Sequence, residues 1–107
     1  MVYEKQQAME QSKFNKPSLF IPRVFNTVSE AHIRKTFEAL KLGVIHHIDI
    51  RKCDEKFNRV FIHYKRWFSE GNAVIARERM NSGKDVKVIY EEPWFWKVSL
   101  FRSNKTL

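Results

Sequence analysis

Phe57-Asn58-Arg59-Val60-Phe61-Ile62-His63-Tyr64 alternates with a period of two, Val60, Ile62 and Tyr64 falling between Arg59, Phe61 and His63. Successive side chains of a strand point to opposite faces, so these two sets separate across a sheet. One set is apolar or aromatic and suits a core. The other places a guanidinium, a phenyl ring and an imidazole side by side, and planar cations beside aromatic rings stack unpaired bases and hold their phosphates.

Working outward, the sequence predicts three further strands and two helices. Pro17-Ser18 opens a first strand, Leu19-Phe20-Ile21, with Phe20 opposite the Leu19–Ile21 face; Pro22 marks its end or an open edge. Ser29 is a good N-cap and Glu30 suits a first helical turn. The spacing of Ile33, Phe37 and Leu40 then predicts a helix over about 30–41, with Gly43 as its C-cap. Val44 to Arg51 reads as a second strand that turns Ile48 and Ile50 inward and His47, Asp49 and Arg51 outward. After the octet, Ser69 is the expected cap of a second helix over about 70–81, with Ala73, Ala76 and Met80 on one face. Val86, Val88 and Tyr90 alternate with Lys87 and Ile89 as a last strand.

The order β-α-β-β-α-β predicts an α+β, ferredoxin-like domain: a four-stranded antiparallel sheet with both helices on one face. Its expected limits are 17–92, after a polar arm over 1–16 and before an aromatic and basic extension over 93–107. The opposite sheet face is left open, carrying Phe20, Asp49, Arg51, Arg59, Phe61, His63, Lys87 and Ile89.

Bulk composition points the same way. The chain has 107 residues, 20 Lys and Arg against 12 Asp and Glu, and a net charge of +8. A basic balance favours anionic partners through long-range attraction and counterion release. No run approaches the roughly 20 apolar residues of a membrane span, and no amphipathic basic helix argues for a membrane surface. Cys53 is the single cysteine, so no disulfide framework is expected and a reducing, intracellular setting, cytoplasmic or nuclear, is the natural expectation.

Residues 18–91 resemble an RNA recognition motif domain. Leu19-Phe20-Ile21 keeps the aliphatic–aromatic–aliphatic start of that family's hexamer, with Arg23 and Val24 where Asn and Leu are usual. In the octamer Phe61, Ile62 and Tyr64 match, while Phe57, Asn58, Arg59 and Val60 depart. Ile33, Phe37, Gly43, Ile45, Ala73, Ala76, Met80 and Asn81 resemble the family's scaffold positions. Pro93-Trp94-Phe95-Trp96-Lys97 is similar to a run in small RNA-recognition-like proteins of large DNA viruses, which would make the virion a further setting. The resemblance implies base stacking at the positions of Phe20, Arg59 and Phe61, where Arg59 can stack by its guanidinium plane or pair with a phosphate.

The expected nucleic-acid contacts are therefore Phe20, Arg23, Asp49, Arg51, Arg59, Phe61, His63, Lys87, Ile89, Trp94, Trp96 and Lys97, with single-stranded RNA as the partner. The competing expectation is a protein-docking or structural role, with the tail aromatics folded over Phe20 and Phe61. Neither needs a cofactor. No spacing of the four histidines and Cys53 matches a metal site, and His46 and His47, as strand neighbours, are expected on opposite faces. There is no Gly-rich phosphate loop or nucleophile elbow, so no enzyme is expected. A basic first helix (His32, Arg34, Lys35 and Lys41 against two Glu) argues against the peptide-binding subtype of the family. Arg66-Trp67-Phe68 precedes the second helix instead of following it.

Overall fold

The structure, a computed structural model, describes residues 17–101. The expected arm over 1–16 and the end of the chain beyond 101 lie outside the described residues. The elements are β1 (Ser18–Phe25), α1 (Glu30–Ala39), β2 (Gly43–Lys52), β3 (Phe57–Trp67), α2 (Asn72–Asn81), β4 (Val86–Glu91) and β5 (Trp94–Phe101). They build an α+β domain whose sheet has five strands in the order β2-β3-β1-β5-β4, every pair antiparallel. No described helix is long and apolar enough to cross a membrane.

The expected four-stranded sheet is thus corrected to five. The strand beside β1 is not Val86–Glu91 but Trp94–Phe101, pairing Leu19 with Leu100 and Phe20 with Ser99. Glu92 and Pro93 form the two-residue turn of a β4–β5 hairpin, a place where proline's fixed φ and missing N–H cost no ladder bond. Residues 94–101, expected to begin an extension, are a strand of the sheet.

Both helices lie on one face. Ile33 and Phe37 from α1 and Ala73 and Met80 from α2 share a core with Leu19, Ile21, Val60, Ile62, Val88 and Val98. Removing those side chains from water is the main stabilising term, about 1.5–3 kcal/mol for each large one. The parallel ring stack of Phe37 on Trp96, 6.0 Å between centroids at 4°, and of Tyr90 on Trp96, 4.2 Å at 11°, ties α1 to the β4–β5 hairpin.

Several local expectations are revised. Ser29 does cap α1, accepting from the His32 N–H at 3.1 Å. That helix ends at Ala39, however, with Lys41 taking the left-handed conformation (φ 59°) expected of Gly43. Gly43 begins β2, and its small size serves packing: a Cβ there would meet the Arg66 carbonyl oxygen and lie 2.9 Å from Trp67 Cα. Ser69 is not the cap of α2; Gly71 is, at φ 69°, and makes no side-chain cap bond. β1 does not stop at Pro22. It continues to Phe25 through a bulge between Ile21 and Val24, where proline is tolerated.

Candidate nucleic-acid interface

Strand alternation and register bring most of the expected residues together. Phe61 on β3 sits directly opposite Asp49 on β2 and Phe20 on β1, and Phe20 sits opposite Ser99 on β5. One step along, Arg51 faces Arg59; one step the other way, His47 faces His63. The result is a central aromatic row flanked by cations on one side and imidazoles on the other. No described helix covers it, because both helices pack on the opposite face.

The Phe20 and Phe61 ring centroids are 5.1 Å apart, tilted by 31°. A third ring joins them: Phe101 lies 5.1 Å from Phe61 edge-on and 6.5 Å from Phe20, and is 44% exposed. Phe20, Pro22, Arg23, Cys53, Arg59, Phe61 and Phe101 line a shallow depression of about 500 Å³. Aromatic planes and two guanidiniums around one hollow suit a flat base and its phosphate.

The charged neighbours are partly engaged already. Arg51 donates to the Asp49 carboxylate at 2.9 and 3.2 Å, and its guanidinium lies 5.6 Å from the centre of the Phe61 ring. That hydrogen bond holds the Asp49 carboxyl below the usual carboxylate range. Arg59 is exposed and takes part in no ion pair among the described residues. His63 shares a 2.6 Å hydrogen bond with Ser18 Oγ and stacks on His47 at 4.4 Å. Burial first, and the neighbouring His47 second, push the His63 imidazole below its usual pKa. It therefore sits on the face mainly as a neutral ring.

Other expected contacts stand apart. Lys87 and Lys97 face each other on the β4–β5 hairpin beside Ile89 and Phe95, with the Lys87 ammonium 4.9 Å from the centre of the Phe95 ring. Trp94 is at the hairpin end, 58% exposed. Trp96 is the clear correction: it is 3% exposed, held in the core between Phe37 and Tyr90, and cannot stack a base. Nor does the Trp94–Trp96 run form a lid on Phe20 and Phe61; the ring against them is Phe101.

His46 and His47 are not on opposite faces. Register shifts between Val44 and His47 break the alternation, and their Nδ1 atoms share a hydrogen bond at 2.6 Å. Among the described residues no three His, Cys, Asp or Glu side chains converge as metal ligands would.

Phe101 and Phe95 were absent from the expected set. Their signal was present: Phe95, Lys97, Ser99 and Phe101 alternate with Trp96, Val98 and Leu100, the pattern of one more half-buried strand. Compared with protein-family models, with curated proteins and with solved structures, the chain matches none.

Proposed function

We propose that this chain is a non-enzymatic, RNA-recognition-like domain that binds single-stranded RNA on the open sheet face. Its bases would stack on Phe20, Phe61 and Phe101, with phosphates held by Arg23, Arg59 and, from the hairpin, Lys87 and Lys97. The observation that carries this reading is the Phe20–Phe61–Phe101 cluster, on a sheet face that no described helix covers and beside two guanidiniums. Buried rings need no such company, whereas base-binding platforms combine these parts. The strand order supports the fold half of the reading. With β4 set aside, β1 and β3 lie side by side at the centre, flanked by β2 and β5, as a split βαβ arrangement requires. On this reading β4 is an addition at the sheet's edge.

A protein-docking role is the second reading, favoured by the exposed Trp94, Phe95 and Ile89 of the hairpin. Filter binding against random single-stranded RNA, with duplex as control, separates the two. Phe61→Ala is expected to weaken single-strand binding by about 1–3 kcal/mol, the worth of one base stack, without a matching loss of fold. For the parent, log K against log salt is expected to slope at about −2 to −3.5, three to five contacts at about −0.7 each. Arg59→Ala is expected to flatten that slope by somewhat under one unit. Binding indifferent to salt and to Phe61 would shift the assignment to protein docking.

A further inference from the structure

The outer face carries a second aromatic pair, one ring exposed and one half-buried, that the central cluster does not use. Phe57 begins β3 two residues before Arg59, so alternation puts it on the face of Arg59 and Phe61. Phe25, at the end of β1, is its direct cross-strand partner. The two rings stack with centroids 5.0 Å apart at 27°, and Phe25 remains 43% exposed. The Arg23 guanidinium lies 5.5 Å from the centre of the Phe57 ring, and Arg23 also lines the central depression.

This corner is braced from behind. The Asp54 carboxylate accepts from the Lys56 and Phe57 N–H groups at 2.8 and 2.9 Å, and Phe57's carbonyl accepts from the Cys53 and Asp54 N–H groups. Asn26, directly after Phe25, donates through its backbone to Lys56 and through its side chain to Glu55. The turn after β1 and the loop before β3 are thereby fastened to each other. A rigid aromatic pair loses little freedom when a ring is laid on it, which is the condition for useful stacking.

We propose that Phe25, Phe57 and Arg23 form a second base-stacking platform, which takes a further nucleotide of the same single strand bound at Phe20, Phe61 and Phe101. This inference rests on the RNA-binding reading and extends its site. Phe57 and Phe61 are four residues apart on one strand, roughly 13 Å, with Arg59 between them and Arg23 reaching toward both. The phosphates of the strand segment that bridges the two platforms would lie over these two guanidiniums, a charge match that selects a nucleic-acid strand over an apolar peptide. The arrangement makes the site run along β1 and β3 rather than end at the central cluster.

The test compares an oligouridine dinucleotide with an oligouridine octanucleotide, followed by chemical-shift titration of the full chain. The octanucleotide falls within the span of about 4–16 nucleotides that single-strand-binding folds accommodate. Phe57→Ala is expected to weaken the octanucleotide roughly tenfold, the scale of one lost stack, and to leave the dinucleotide nearly unchanged. Phe57→Trp is expected to restore the octanucleotide affinity. Phe25→Ala, made at the more exposed ring, serves if Phe57→Ala fails to fold and is expected to act in the same direction. Phe61→Ala is expected to weaken both ligands. If Phe61→Ala weakens both but neither Phe57→Ala nor Phe25→Ala affects the octanucleotide, the second platform is wrong and the RNA-binding reading stands. Equal weakening of both lengths by Phe57→Ala would also overturn it, since that marks a structural role. If Phe61→Ala affects neither ligand, the underlying reading itself fails.

Discussion

Trp96→Ala is expected to remove about 3–5 kcal/mol of folding stability, the usual cost of deleting a fully buried indole. Small domains have about 5–15 kcal/mol in total, so the variant would sit near the threshold of folding at 37 °C. The argument is geometric. Trp96 is 3% exposed and stacks on Phe37 from α1 and on Tyr90 from β4, so its loss uncouples a helix from the hairpin. Its indole N–H, by contrast, contributes nothing favourable: it is buried without a hydrogen-bond partner among the described residues. An unpaired buried donor costs about 1–3 kcal/mol. Trp96→Phe should therefore be much milder than Trp96→Ala, since relief of that cost offsets part of the lost volume. Chemical denaturation of the three proteins checks this, and a Trp96→Phe as damaging as Trp96→Ala would show that the indole N–H has a partner.

Phe37→Ala is the second large effect, again about 3–5 kcal/mol. Phe37 is 1% exposed and stands at the centre of the α1 stripe, over the sheet. It also lines an open groove of about 220 Å³ beside α2, together with Leu19, Ile75, Met80 and Val98. Truncation would deepen this groove and strip the core of a ring's contacts, at a cost within that range. Because Phe37 and Trp96 touch, the two losses should not add. The double variant is expected to fall short of the sum by about 0.5–1.5 kcal/mol, the worth of an aromatic pair beyond its area. Equilibrium unfolding of the four proteins of this cycle measures the difference directly; strict additivity would place the two rings in separate packing units.

Neither substitution is aimed at the open face. Trp96 and Phe37 lie beneath the sheet, and Phe20, Phe61 and Phe101 lie above it. Stability and RNA affinity are thus expected to respond to different residues. That separation keeps the tests of fold and function independent.

The first three strands were legible in the octet and its neighbours because polar and apolar residues alternate there cleanly. Val60, Ile62 and Tyr64 are buried, while Arg59, Phe61 and His63 face the other way. Both helices were legible from the spacing of Ile33 with Phe37 and of Ala73 with Met80. The fifth strand was obscured for a physical reason. Trp94-Phe95-Trp96 is apolar throughout, so the period of two shows only from Lys97 onward, and Pro93 before it reads as a stop when it is a turn.

The same limit hid the site's third ring. Phe101 is placed beside Phe61 only because β5, not β4, pairs with β1, and strand order is a long-range property that no local pattern encodes. Gly43 and Ser69 mislead in another way. A glycine after a helix and a serine before one have strong local meanings, yet Gly43 answers to the crossing of Arg66 and Trp67, and Gly71, at positive φ, supplies the turn into α2. The bulge that swings His46 toward His47 is likewise set by pairing with β3. Arg23 shows the reverse: expected from the sequence as a contact, it lies beside both the central depression and Phe57.

The most direct measurement is an amide chemical-shift map of the chain titrated with single-stranded RNA. The account predicts shifts concentrated at Ser18–Phe20 on β1, Arg59–His63 on β3 and Ser99–Phe101 on β5, with the α2 amides of Asn72–Asn81 unmoved. Shifts confined to the helical face, or an unchanged spectrum at saturating RNA, would contradict it.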